Sequence, residues 1–184
     1  MFTIGICGGV ASGKTTLAKK ICSLIRGSNL ISMDNYFYSF SELSLKERKK
    51  INFDNPNVYD YRLIIQHVKK LQNHECIRMP IYSFSNYTRT NKTIKIKPSD
   101  ILIVEGYASL YDEQLRNLFD YTIFIDIDEQ KQLERLIKRD VKERSRSKKD
   151  VIAHFYKKIK ESNINFVLPQ RKYAKMVIKA EDVL

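Results

Sequence analysis

The segment Gly8–Thr15, GGVASGKT, constrains this chain more than any other. It satisfies the spacing G-x-x-x-x-G-K-[ST], with Gly8, Gly13, Lys14 and Thr15 at the fixed positions, Gly9, Val10, Ala11 and Ser12 between them, and Thr16 directly after. The run before it, Phe2 to Cys7, is rich in β-formers, and Lys14 to Arg26 carries apolar residues at helical spacing. A loop between strand and helix can curl successive backbone N–H groups around a polyphosphate, and the helix N-terminus adds positive potential. Gly8 and Gly13 permit backbone angles that a Cβ forbids. In such a loop Lys14 reaches the β and γ phosphates of ATP or GTP, and the Thr15 hydroxyl ligates Mg²⁺, which keeps most of its shell in phosphate and water oxygens. The bland alternative, a glycine-rich turn before a helix, does not account for the strand that precedes it.

The remaining pattern extends the same logic. Asn29 to Met33 reads as a second strand, Ser41 to Lys50 as a short polar helix with Ser44 as cap and Glu47 three residues on, and Asp60 to Asn73 as a helix with Leu63, Ile64, Val68 and Leu71 on one side. Between Cys76 and Lys97 the period falls to two on both sides of a polar turn, which predicts a protruding β-hairpin. Asp100 to Val104 and Tyr121 to Asp126 are short apolar runs, as parallel strands buried on both faces should be. Two helices follow, over Glu129 to Glu143 and Lys149 to Val167, the second ending before Pro169, and Met176 to Ile178 supplies a last strand. Strands alternating with helices imply an α/β fold of three layers, helices on both faces of a parallel sheet. No linker or repeat divides the chain, so residues 1–184 are expected to form a single domain.

Composition narrows the class. A hydrophobic share of 43% and a charged share of 29% are globular values. No stretch approaches the roughly 20 apolar residues of a membrane span, and the N-terminal apolar run is too short and glycine-broken for a secretory signal. Cys7, Cys22 and Cys76 lack the spacing of a zinc site or a disulfide framework, so reduced thiols in a cytoplasmic protein are expected. The formal charge of +12 fits a phosphorylated ligand, nucleic acid, an anionic surface or simply a Lys-rich exterior, and does not choose among them.

Two strand-end carboxylates complete the chemistry. Glu105 closes ILIVE on the sheet edge where ligands bind, and is the acidic candidate for the metal; a plain strand-end residue is the alternative. Asp34, in ISMDNYFY, ends the second strand on that same edge, where a carboxylate could accept the proton of an attacking hydroxyl. Asp34 with its aromatic neighbours resembles the uridine-cytidine kinase family of P-loop kinases. The likeness continues in order through NFDNP (52–56), PIYSF (80–84), YTR (87–89), VEG (104–106), KRDVKERSRS (138–147) and PQRKYA (169–174).

The resemblance implies transfer of the γ-phosphoryl of ATP or GTP to the 5′-hydroxyl of uridine or cytidine, with Asp34 as base. It implies that Phe53 and Asp54 line the nucleoside site, Asp54 on ribose hydroxyls, and that Tyr82 and Phe84 are base-pocket aromatics. On spacing alone, aromatics two apart pack a core as readily as they line a pocket. Arg139, Arg144 and Arg146 resemble the arginines of a lid, about residues 139–148, that would neutralise charge on the transferring group. A homo-oligomer, often a tetramer, is also implied.

Three positions depart from the family pattern, and are expected at the acceptor. Tyr87 stands where many members carry a base-reading His; its hydroxyl serves either pyrimidine, with a shift towards cytidine expected. Leu136 stands where an Arg near the ribose is usual, and Arg135 points about 100° away on a helix. His154 stands where a Gln is usual, and either restores a polar contact or lies on the surface. They leave open a sibling kinase acting on a sugar phosphate or vitamin precursor. A nucleotide-regulated RNA-binding protein fits less well, because the aromatics are not interleaved with Lys and Arg along one sheet.

Overall fold

The computed structural model describes residues 1–183. Five parallel strands form the central sheet: β1 (Phe2–Gly8), β2 (Ser28–Ser32), β5 (Ile101–Glu105), β6 (Tyr121–Asp126) and β7 (Met176–Lys179), in the order β2-β5-β1-β6-β7. Because successive side chains alternate, one strand feeds two cores. Ile6, Ile103, Ile123 and Ile125 join Ala18 of α1 (Lys14–Leu24) and the terminal turn Ala180–Val183. Cys7, Leu102, Val104 and Phe124 face the other way, into the larger core. The expected strand starts and ends shift by at most one residue, and the expected helix to Arg26 stops at Leu24.

Local signals account for several elements. The four-residue α2 (Leu45–Arg48) carries the predicted capping box, Ser44 and Glu47 each bonding the other's backbone N–H. In α3 (Tyr61–Gln72) the Asp60 carboxylate accepts from Leu63 N at 3.0 Å, and Ile64, Ile65, Val68 and Leu71 are buried, while Leu63 is only partly so. The hairpin, β3 (Ile77–Ser83) with β4 (Thr88–Ile96), forms a separate antiparallel sheet. Its Arg89 donates to Tyr36 O at 3.0 Å and pairs with Asp60 at 3.1 Å, which ties the hairpin to the 3-10 turn Met33–Tyr36 after β2.

A short α4 (Glu113–Arg116), capped by Asp112, lies between β5 and β6. One region differs from expectation. After α5 (Glu129–Arg144), the helix expected over 149–167 runs as α6 (Lys148–His154) and α7 (Lys160–Ser162), joined by a π turn at Phe155–Ile159 and followed by a second at Asn163–Val167. Each π turn widens the helix by one residue and re-aims the side chains that follow. Among the described residues no helix is long and apolar enough to cross a membrane.

Candidate active site

The phosphate-binding loop adopts the backbone its glycines allow: φ is 149° at Gly8 and 102° at Gly13, with Ala11 also positive at 58°. A Cβ on Gly8 would lie 2.6 Å from Ile125 O, so β6 leaves no room for one. Gln132 of α5, fully buried, donates to Val10 O at 2.9 Å and accepts from Asn163 at 2.7 Å, bracing the loop from behind. Nothing in the sequence reading singled out this pair, because 122 residues separate Gln132 from Val10.

Ser12 Oγ is buried without a partner, and Lys14 Nζ donates to Gly9 O at 2.8 Å, within its own loop. The Lys14 ammonium lies deep enough that burial draws its pKa below the ordinary lysine value, against the opposing charges of Glu105, Cys7 and Asp34. An orphaned hydroxyl and a desolvated cation in a loop that opens a helix fit a polyphosphate. Thr15 and Thr16 are exposed at its rim.

Glu105 ends β5 opposite Ile6 of β1 and Ser32 of β2, and is 4% exposed. Burial and the Asp34 charge raise its pKa, while Lys14 and the hydroxyls of Ser32 and Thr15 lower it. Glu105 and Thr15 thus converge, and one carboxylate with one hydroxyl suits Mg²⁺, which takes few protein ligands beside phosphate oxygens. Among the described residues no cluster of three or more His, Cys, Asp or Glu competes for a metal.

Asp34 sits in the turn Met33–Tyr36, where Tyr59 OH donates to its Oδ1 at 3.2 Å. Tyr59 is buried and its pKa is raised by burial and by Asp34, so it stays a phenol and a donor. It stacks on Phe37 at 4.5 Å, and Phe37 packs edge-on against Phe53 and Tyr82, both at 5.2 Å. Tyr82 is 6% exposed and its hydroxyl is buried without a partner. Tyr87, at positive φ in the hairpin turn, has its ring 5.7 Å from Phe53. Phe84 lies just past the end of β3 and is half exposed, against the expectation of two equivalent aromatics; it touches Tyr82 at 5.5 Å, with the Arg144 guanidinium 5.5 Å from its ring.

The other acceptor candidates separate. His154 Nε2 is 3.2 Å from Asp54 Oδ2, and Ser162 Oγ donates to Asp54 O, so the segment from α6 to α7 grips the Asp54 loop twice. Leu136, expected at the ribose, is instead 1% exposed in a small core with Val151, Phe155 and Ile159, backed by Val10 and Ala11. Its helix face is set by packing on α6 and the phosphate-binding loop. Arg48, passed over in the sequence reading, has a buried Nε with no partner, and its charge reaches Tyr82. Arg139, Arg144 and Arg146 all meet at the buried Asp140 carboxylate.

Outside the site, Gln170 of the PQRKYA segment is buried; its amide accepts from Leu110 N at 2.9 Å and donates to Tyr107 O and Phe166 O. Cys7 donates to that same Oε1 at 3.2 Å, and burial raises its thiol pKa to about 11, an inert thiol at neutral pH. None of the three cysteines forms a disulfide.

A phosphate-binding loop between β1 and α1, carboxylates at the ends of β2 and β5, and an arginine cluster above them define a P-loop kinase. Residues 3–183 match the phosphoribulokinase / uridine kinase family, and the chain belongs to that family. It is 37% identical to the uridine kinase of Anoxybacillus flavithermus over 177 residues, covering 95% of this chain and 84% of the relative. It is 38% identical to that of Halalkalibacterium halodurans over 177 residues, with the same coverage. Phosphoribulokinase from Rhodobacter spheroides shares the fold at 13% identity, with a TM-score of 0.68 over 97% of this chain and 69% of the other.

Proposed function

We propose that this enzyme transfers the γ-phosphoryl of ATP or GTP to the 5′-hydroxyl of uridine or cytidine, in pyrimidine salvage. The observation that carries the reading is the position of Asp34: it shares the field of Lys14 and Glu105 on one side and, through Tyr59 and Phe37, adjoins the Phe53–Tyr82 aromatic pocket on the other. A base placed between a triphosphate site and an aromatic pocket suits a hydroxyl carried on a flat, π-rich group.

In this reading Asp34 accepts the proton of the 5′-hydroxyl as its oxygen bonds the γ-phosphorus and the bond to the β,γ-bridging oxygen breaks, leaving a nucleoside diphosphate and a nucleoside monophosphate. Tyr59 keeps the carboxylate aimed. Lys14 and the lid arginines hold phosphate oxygens, Asp54 with His154 holds the ribose, and Phe53, Tyr82, Phe84 and Tyr87 hold the base. Thr15 and Glu105 would hold Mg²⁺, which supplies charge neutralisation at the phosphates. The unpartnered Tyr82 hydroxyl supports a polar ligand in the pocket. Cytoplasmic placement, a single domain and a homo-oligomer belong to the same proposal on family grounds.

The test is ADP release with MgATP or MgGTP against uridine, cytidine, other ribonucleosides, sugar phosphates and pantothenate, beside the Asp34→Asn variant. Turnover on a pyrimidine nucleoside that collapses in the variant supports the proposal. Turnover only on a sugar phosphate or pantothenate would reassign the acceptor.

A further inference from the structure

The three lid arginines do not stand apart. Arg139 lies 2.9 Å from Asp140 Oδ1, Arg146 Nη1 lies 3.0 Å from Oδ2, and Arg144 Nε approaches Oδ1 at 3.8 Å. Asp140 is 1% exposed, whereas the arginine side chains are 28%, 45% and 31% exposed. The main chain of Asp140 also serves the turn: its carbonyl accepts from the N–H of Ser145, which caps α5 at φ 52°, and from Arg146 N at 3.2 Å. One residue therefore fixes both the reversal of the lid and its three guanidinium groups.

We propose that Asp140 is a positioning residue for phosphoryl transfer, which gathers Arg139, Arg144 and Arg146 into one pre-arranged anion clamp. Three cations drawn together repel, and a single buried carboxylate offsets one charge and leaves the cluster net positive. Of its five donors each, Arg139 spends two on Asp140, Arg146 one there and one on Asp150 O, and Arg144, at ion-pair distance, none, so the partly exposed remainder is free for phosphate oxygens. The Arg144 contact with Phe84 extends the arrangement to the tip of the hairpin beside the aromatic pocket. Rigid donors need little further ordering when the ligand arrives, and their advantage is realised on the transferring group rather than on the acceptor.

The inference rests on reading the lid as a triphosphate clamp, and the experiment separates the two. Binding of a non-hydrolysable MgATP analogue and steady-state kinetics are measured for the wild type, Asp140→Asn, the triple variant Arg139→Ala/Arg144→Ala/Arg146→Ala, and the quadruple variant combining them. We expect Asp140→Asn to weaken analogue binding and kcat/KM for MgATP by about tenfold, with the nucleoside KM within about twofold. In the arginine-free background the same substitution should change either quantity by less than about twofold, because nothing remains to be positioned. Equal losses in both backgrounds, or Asp140→Asn matching the wild type, would overturn the inference and leave the kinase reading intact. Triple-variant binding and turnover equal to the wild type would remove the clamp reading itself. If Asp140→Asn does not fold, Asp140→Glu, which keeps the charge but displaces it by one methylene, takes its place with the same two expectations.

Discussion

Leu136→Ala tests the disagreement between helix arithmetic and packing at the lid helix. Leu136 is 1% exposed in a cluster of only four buried side chains. Truncating a buried leucine costs about 2–5 kcal/mol, made up of lost transfer energy and the cavity left behind. The cluster is small and edged by partly buried Val10, Ala11, Leu133 and Ile137, which can move inward, so the lower half of that range, about 2–3 kcal/mol, is expected here. For a chain of this length each kcal/mol shifts the melting temperature by roughly 2–4 °C, giving a fall of roughly 4–12 °C by calorimetry. Below the transition the nucleoside KM should stay within about twofold, while the MgATP KM rises more, because the cavity opens beneath the phosphate-binding loop. Leu136→Arg, which restores the residue expected by family resemblance, should be worse than alanine, since a guanidinium would enter a packed apolar cluster where the nearby buried carboxylate, Asp140 one turn on, is already engaged by three arginines. An alanine variant that melts with the wild type but loses about tenfold in nucleoside KM would refute this reasoning and return Leu136 to the acceptor site.

Asp34→Asn should lower kcat by roughly 10²–10⁴ while the chain melts close to the wild type, since an amide oxygen still accepts from Tyr59; an unchanged kcat would remove Asp34 as base. Glu105 carries a raised pKa in the fold, so over the window between the ordinary carboxylate value and the raised one the folded chain holds a proton that the unfolded chain has lost. Ligand-free stability should therefore fall as pH rises through that window, and Glu105→Gln should flatten this slope in melting curves while weakening the Mg²⁺ dependence of turnover; a slope that survives in the variant would sink the assignment. His154→Ala should raise the nucleoside KM by about tenfold with kcat nearly unchanged, and His154→Gln should recover most of it, because either side chain can donate to Asp54; identical kinetics for all three would place His154 outside the site.

Much of the site was legible because its signals are local. The phosphate-binding loop needs its glycines at fixed spacing, the Ser44–Glu47 box caps its own helix, and strand-end carboxylates fall on the ligand edge once the strands are parallel. Other features had no local signature. Gln132 reaches Val10 across the fold, Tyr59 reaches Asp34, and the π turn at Phe155–Ile159 lies between His154 and Ser162, which both arrive at the Asp54 loop. The gathering of three arginines on Asp140 lies between these cases: the residues are near neighbours in sequence, but Arg146 returns only because Ser145 turns left-handed. The sequence alone determined the fold class and narrowed the residues whose chemistry suits phosphoryl transfer, since both follow from spacing and residue chemistry. The tertiary structure decided which of those side chains meet, and that Leu136 belongs to a core, because the buried face of a helix is set by what packs against it.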